Sequence, residues 1–202
     1  MSAHVVVAYQ GEPGAFSELA ILETWGHAAR PVPCPEFADV ARAVRDGSAD
    51  FGLLPVENSI AGRVEASVAA IERASLAVVG AVERPIRLCL LGHDGAAIES
   101  LRSVESHPVA LAQCAGFLRA HPRLEARPVF DTAGAARLVA ASRDASRAAI
   151  ASSRAAELHG LAILRAGIED HDGNVTRFAI LSASRSQSSA LDSMRPGVML
   201  DA

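Results

Sequence analysis

Lysine is absent from this chain of 202 residues, and all 19 basic side chains are arginines. No side chain can form a Schiff base, which excludes pyridoxal-type and lysine-aldolase chemistry. A phosphate-binding P-loop lysine is excluded as well. Cysteine is scarce. Cys34, Cys89 and Cys114 lie far apart in apolar surroundings, without the CxxC spacing or Cys/His clustering that marks a metal site. An odd number of thiols, and an N-terminus that reads as a buried strand rather than a secretory signal, point to a reduced, cytoplasmic setting. No apolar run reaches the ~20 residues needed to span a bilayer. A net charge of −4 and a pI near 6.0 leave no basic footprint for nucleic acid. Half of the residues are hydrophobic, enough for a substantial core.

What is present is an alternation of strand and helix signals that occurs twice. Residues 4–9 form a continuous apolar run rich in valine, the pattern of a central parallel strand. Gly11, Pro13 and Gly14 turn the chain, and residues 16–25 have helical spacing. An extended stretch around Val32, a helix over 37–44, a buried strand over 51–56 and a helix over 64–73 follow. The second half repeats the plan at an offset of roughly 95 residues. It reads as a strand over 101–106, a helix opened by His107 and Pro108 and running to 118, an extended stretch over 126–130, a helix over 132–141, a strand over 148–151 and a helix to 159. Such alternation predicts an α/β fold of two lobes with parallel sheets covered by helices. The expected division is residues 1–83 for lobe I, 84–177 for lobe II, and 178–202 for a return strand and a mobile C-terminal tail. The apolar segment 76–91, broken by Glu83, Arg84 and Pro85, reads as the hinge crossing.

Ligands in such folds bind beyond the carboxyl ends of the strands. Those ends carry helix-capping residues here: Asn58 and Ser59 in the first half, Ser152 and Ser153 in the second. Residues 11–17 and 106–108 form the first turn of each lobe. Helix N-termini attract anions. Any one of these residues is better read as a plain cap; the set facing one cleft is better read as a binding site for a molecule with two separated negative groups. Glu57 reads either as a first-turn dipole partner or as a hydrogen-bond anchor. Ser106 is ambiguous, and His107 at a helix start reads as structural. Asp170, His171 and Asp172 lack metal-ligand spacing and read as a solvated loop. No nucleophile elbow is visible, which disfavours covalent acyl transfer.

The run Asn174, Val175, Thr176, Arg177, Phe178 sets a hydroxyl beside a guanidinium at the mouth of an apolar strand over 178–181. Arginine matches carboxylates bidentately, and a neighbouring hydroxyl can share a proton. Alternation along a strand puts Thr176 and Phe178 on one face and Arg177 on the other. A bulge or twist at the strand start is then needed for Thr176 and Arg177 to touch one ligand.

Five segments together resemble the prephenate dehydratase family: YQGEPGAFSE at 9–18, GSADFGLLPVENSIAG at 47–62, ESHPVALAQC at 105–114, TAGAA at 132–136, and residues 148–178 closing on NVTRF. The resemblance covers about residues 4–182. It implies a two-lobed, periplasmic-binding-protein-like architecture of type II, each lobe a βα sheet sandwich, with the active site in the inter-lobe cleft. It also implies decarboxylating dehydration of prephenate to phenylpyruvate, on the route to phenylalanine, with Thr176 as the key catalytic residue. Arg177, Phe178, Glu57, Asn58 and Ser59 then help form the substrate site, and Ser106 and His107 complete the expected set. Because aromatisation drives the reaction, neither cofactor nor metal is expected. Thr176 needs an assisting group, and Arg177, Glu57 and Asn58 are all candidates. The resemblance further suggests a homodimer without nucleic-acid or membrane partners.

Two departures from the family pattern stand out. Arg87 occupies a position where relatives often have histidine. Residues 182–202 are too short for the C-terminal phenylalanine-binding ACT domain that members commonly carry, so feedback through an attached domain is not expected. Arogenate dehydration and non-catalytic binding of a small carboxylate are the alternative functions.

Overall fold

Alternating apolar runs and capped helices fold into two sheet-centred units in the computed structural model, which describes residues 4–184 and 198–199. One unit comprises the chain up to Gly11, Ser17–Pro85 and the residues from Val175 onward; the other comprises Glu12–Phe16 and Ile86–Asn174. Most of the expected tail, 182–202, lies outside the described residues.

The first unit begins with strand β1 (Val5–Gln10), helix α1 (Phe16–Trp25, entering the unit at Ser17), β2 (Ala29–Cys34), α2 (Phe37–Arg45) and β3 (Phe51–Asn58). A two-residue strand β4 (Gly62–Arg63), α3 (Glu65–Ala74) and β5 (Ala77–Pro85) follow. Helix α2 starts at a capping box in which Glu36 and Asp39 each satisfy a backbone N–H of the other's residue. β1 is parallel to both β2 and β3. Alternate strand residues feed the helical layer: Ala8 and Leu54 pack with Val40 and Val44 of α2. Gly52 is required there, because a Cβ would lie 3.0 Å from Val40 Cγ1 and 3.1 Å from Val44 Cγ2. Burying each large aliphatic side chain contributes about 1.5–3 kcal/mol.

The second unit contains β6 (Cys89–Gly92), β7 (Ser103–Ser106), α4 (Pro108–Gln113), α5 (Ala115–Ala120), β8 (Glu125–Pro128), α6 (Thr132–Ser142), β9 (Arg147–Ala151), α7 (Ser153–His159) and β10 (Ala162–Ala166). Its sheet runs β10-β6-β9-β7-β8. Leu90 and Ile150 enter one apolar cluster while Leu91 and Ala149 enter another. Both faces are therefore buried, which is why these strands read as unbroken apolar runs.

The chain returns to the first unit as β11 (Val175–Ser182), antiparallel to β3 and β5. A short strand β12 (Val198–Met199) pairs with the far side of β5. The order β5-β11-β3-β1-β2 matches β10-β6-β9-β7-β8 position for position. Both sheets are thus mixed rather than purely parallel, because each crossing strand enters antiparallel beside the third strand of its unit.

Three expectations shift. The chain leaves the first unit after Pro85 rather than 83 and re-enters at Val175 rather than 178. The polar pair Thr176–Arg177 hides the first ladder residues of β11 from a hydropathy reading. The expected helix to 118 is two helices, since Cys114 departs from helical geometry at φ −113°, ψ 24°. Residues 12–16 join the second unit. Glu12 takes two hydrogen bonds from Arg137, at 2.6 and 3.0 Å, and Phe16 packs into the apolar cluster. The Glu12–Arg137 contact spans 125 positions and leaves no local trace in the sequence.

Candidate active site

The carboxyl ends of β1, β3 and β5 share one edge of the first sheet, and β11 begins there because it runs the other way. Thr176 pairs in register with Asn58 on β3 and with Arg84 on β5. Val175 is fastened by Ser59: its N–H donates to Ser59 Oγ at 2.9 Å, and its carbonyl accepts from Ser59 N–H at 2.8 Å.

Asn58 decides the chemistry of this edge. Its Oδ1 accepts from Ile60 N–H at 3.0 Å and Ala61 N–H at 2.8 Å, an Asx-type turn. That fixes the amide orientation, so Nδ2 faces β11 and donates to Thr176 Oγ1 at 2.9 Å and to the Val175 carbonyl at 3.3 Å. Thr176 is buried, at 7% exposure. Its oxygen is an acceptor toward Asn58, and among the described residues its hydroxyl proton is given to no protein acceptor. A hydroxyl held this way can donate.

Pairing with β5 is regular across Thr176, Arg177 and Phe178. The register shift against β3 lies in β3 itself: Arg177 faces Glu57, Phe178 faces Pro55, and Val56 is the extra residue. Pro55 has no N–H for the ladder, which accounts for a bulge in a central strand. β11 therefore keeps its alternation. Thr176 and buried Phe178 share one face; Arg177 takes the reverse face, where it lines a cavity with Glu57. The strand brings together Thr176, Asn58 and Ser59, and separates Arg177 and Glu57 from them.

Ser106 and His107 belong to the second unit, at the end of β7. Ser106 is fully buried and donates to the Ile150 carbonyl at 2.6 Å. His107 caps α4, its Nδ1 accepting from Val109 N–H at 3.2 Å, so the neutral ring carries its proton on Nε2. Ser152 caps α7 by accepting from Ala155 N–H at 3.0 Å and donates to the Gly14 carbonyl at 2.6 Å. Asp170 accepts from Gly116 N–H at 2.8 Å, and among the described residues no group of metal-ligating side chains forms. Arg87 pairs with Glu169 at 3.2 Å.

Arg84 is the neighbour that sequence reasoning passed over, having treated 83–85 only as a break. It lies in register with Thr176, donating through Nη2 to Thr24 Oγ1 at 3.0 Å, with Glu23 3.1 Å from Nε. Period-2 alternation of β5 carried this signal once that segment was read as a strand. The three thiols are buried. Burial pushes Cys34, Cys89 and Cys114 up, Cys114 to about 12 with Glu169 and Asp170 adding to the effect.

The sequence profile of the family described as prephenate dehydratase matches residues 7–186. The chain belongs to the prephenate dehydratase family. Among its relatives, a bifunctional N-acyl-homoserine lactone acylase/prephenate dehydratase from Komagataeibacter europaeus is 42% identical over 188 residues, covering 90% of this chain and 64% of that protein. Arogenate dehydratase 1 from Petunia hybrida is 44% identical over 177 residues, 87% of this chain and 42% of that protein. The chain thus spans less than two thirds of the length of either relative.

Among solved structures, prephenate dehydratase from Arthrobacter aurescens in complex with L-Phe superposes with a TM-score of 0.82 at 31% identity, over 89% of this chain and 61% of that one. A periplasmic substrate-binding protein of an ABC transporter from Coxiella burnetii shares the fold alone, with a TM-score of 0.50 at 15% identity over 94% and 89% of the chains. The architecture is thus α/β, two-lobed and periplasmic-binding-protein-like.

Proposed function

We propose that this prephenate dehydratase family member dehydrates and decarboxylates prephenate to phenylpyruvate, as a carbon–oxygen lyase. The observation that carries the proposal is the Asn58–Thr176 hydrogen bond, whose polarity is set by Ile60 and Ala61 N–H groups and leaves the Thr176 proton available. In the reaction the ring carboxylate leaves as carbon dioxide. The electron pair of the broken carbon–carbon bond aromatises the ring, and the ring hydroxyl departs, taking up a proton to become water. Thr176 donates to that departing oxygen. Its own acidity is low, so the value of the arrangement lies in orientation within a water-poor site. Asn58 and Ser59 are positioning residues in this reading, and Phe178 supports the strand from below. Arg177 and Glu57, on the reverse face, take no part in the reaction.

The relative from Petunia hybrida is named for arogenate, which carries an amino acid side chain in place of the pyruvyl group, and this favours arogenate as the second substrate to try. Three buried cysteines, none of them in a disulfide, support a cytoplasmic setting, and no helix among the described residues is long and apolar enough to cross a membrane. We infer a homodimer from the family resemblance.

The test is direct. The full chain is incubated with prephenate and, separately, with arogenate, and phenylpyruvate and phenylalanine are quantified. Turnover of prephenate supports the proposal, turnover of arogenate alone replaces the substrate, and turnover of neither leaves a binding module and defeats it.

A further inference from the structure

The first unit holds a cavity of about 470 Å³ on the sheet face opposite Thr176. Ala81 and Ala179 form its floor, and Val68 and Ile71 of α3 form a wall. Val68, Ile71 and Glu72 stand at helical spacings of three and four, so one helix face supplies all of them. The charged lining is Glu57, Arg63, Glu72 and Arg177, two of each sign.

The pairing within this group is incomplete. Arg63 lies 3.4 Å from Glu65 and 3.9 Å from Glu72, loose contacts at the exposed rim. Arg177 stands in register between Glu57 on β3 and Glu83 on β5, a placement that brings Cβ atoms to within about 5.5 Å. Even so, among the described residues it closes an ion pair with neither carboxylate. A half-buried guanidinium and an adjacent exposed carboxylate, which also stands in register with Arg63, line this one space and offer separate partners for a ligand that carries both charges.

We propose that this cavity is a second ligand site, taking a small zwitterion with an apolar side chain, an apolar L-α-amino acid by chemical class. Arg177 receives the carboxylate in the bidentate manner open to guanidinium. Glu57 receives the ammonium group, and the side chain lies against Ala81, Ala179, Val68 and Ile71. The volume lies within the range of small-molecule sites.

The experiment is calorimetric titration of the full chain with L-leucine, L-methionine and L-phenylalanine. At least one binds saturably, with a Kd on the order of 1 mM or tighter. N-acetyl-L-leucine, which lacks the ammonium group, and L-leucinol, which lacks the carboxylate, each bind at least about tenfold more weakly than L-leucine. Arg177→Gln and Val68→Phe, the latter narrowing the space beside α3, weaken binding by a similar factor; Thr176→Ala leaves it unchanged. The absence of saturable heat from all three amino acids overturns the proposal. So does undiminished binding to both Arg177→Gln and Val68→Phe. Loss of binding in a folded Thr176→Ala variant moves the ligand to the other sheet face and overturns it too. If Arg177→Gln fails to fold by circular dichroism, Val68→Phe and the two leucine derivatives decide.

Discussion

Both units carry polar residues at their strand ends and use them differently. In the second unit three such residues are tied to backbone of their own unit: Ser106 after β7 to the Ile150 carbonyl, His107 through Nδ1 to Val109 N–H, and Ser152 after β9 to Ala155 N–H and the Gly14 carbonyl. In the first unit Asn58 caps its own turn and also reaches across the ladder to Thr176. Among the described residues the Thr176 hydroxyl proton is given to no protein acceptor, and it sits beside an oriented amide. Polar residues at strand ends are therefore not equivalent. What separates a cap from a reactive group is whether the neighbouring strand consumes the last donor.

The sharpest way to break this contrast is to remove that donor. Thr176→Ala is expected to lower the turnover of prephenate by at least about 10²-fold, the scale of a positioned proton donor, with circular dichroism and melting temperature close to wild type. Near-normal phenylpyruvate formation would falsify the assignment. Asn58→Asp exchanges the donor facing Thr176 for an acceptor, which captures the threonine proton. A fall in kcat of roughly 10–100-fold is expected, larger than any change in KM; a pure KM effect would make Asn58 a binding residue instead.

On the other side of the comparison, Ser152→Ala removes a helix cap and the hydroxyl that donates to the Gly14 carbonyl. It should cost about 1–2 kcal/mol of stability in denaturant titration. An unaffected midpoint would show that Ser152 is not consumed structurally. The smallest effect concerns the segment 12–16. The Arg137 hydrogen bonds hold the Glu12 carboxyl below its ordinary value of 4.5. A lowered folded-state value gives stability that is complete above 4.5 and is lost as the pH falls through the lowered value. Wild type should melt slightly above Arg137→Leu at neutral pH, by the equivalent of ~0–1 kcal/mol for an exposed pair. The gap should close in acid, and a gap that widens in acid would contradict the assignment.

Much of the fold was legible because both units bury their strands on two faces, which writes continuous apolar runs and capped helix starts into the chain. The parallel cores β1–β3 and β7–β9 and most of the helices followed from that. β10, an edge strand whose residues are partly or fully exposed, was missed, and the ladder start at Val175 was hidden by the polar pair Thr176–Arg177. The site was legible in part. Alternation along β11 predicted that Thr176 and Arg177 face opposite ways. The bulge falls in β3 at Pro55–Val56 and leaves the alternation of β11 intact at Thr176 and Arg177.

By itself the sequence determined most of the element order and the duplication, since these rest on local periodicity and turn chemistry, while the grouping of Thr176 with the Asn58 turn came from the family resemblance. Only the tertiary structure decided that Asn58, 118 positions earlier in the chain, orients Thr176, that Arg177 and Glu57 open onto the reverse face, and that residues 12–16 serve the second unit. Those outcomes depend on strand register and long-range hydrogen bonds, which couple residues by position in space and leave no periodic signature in the chain.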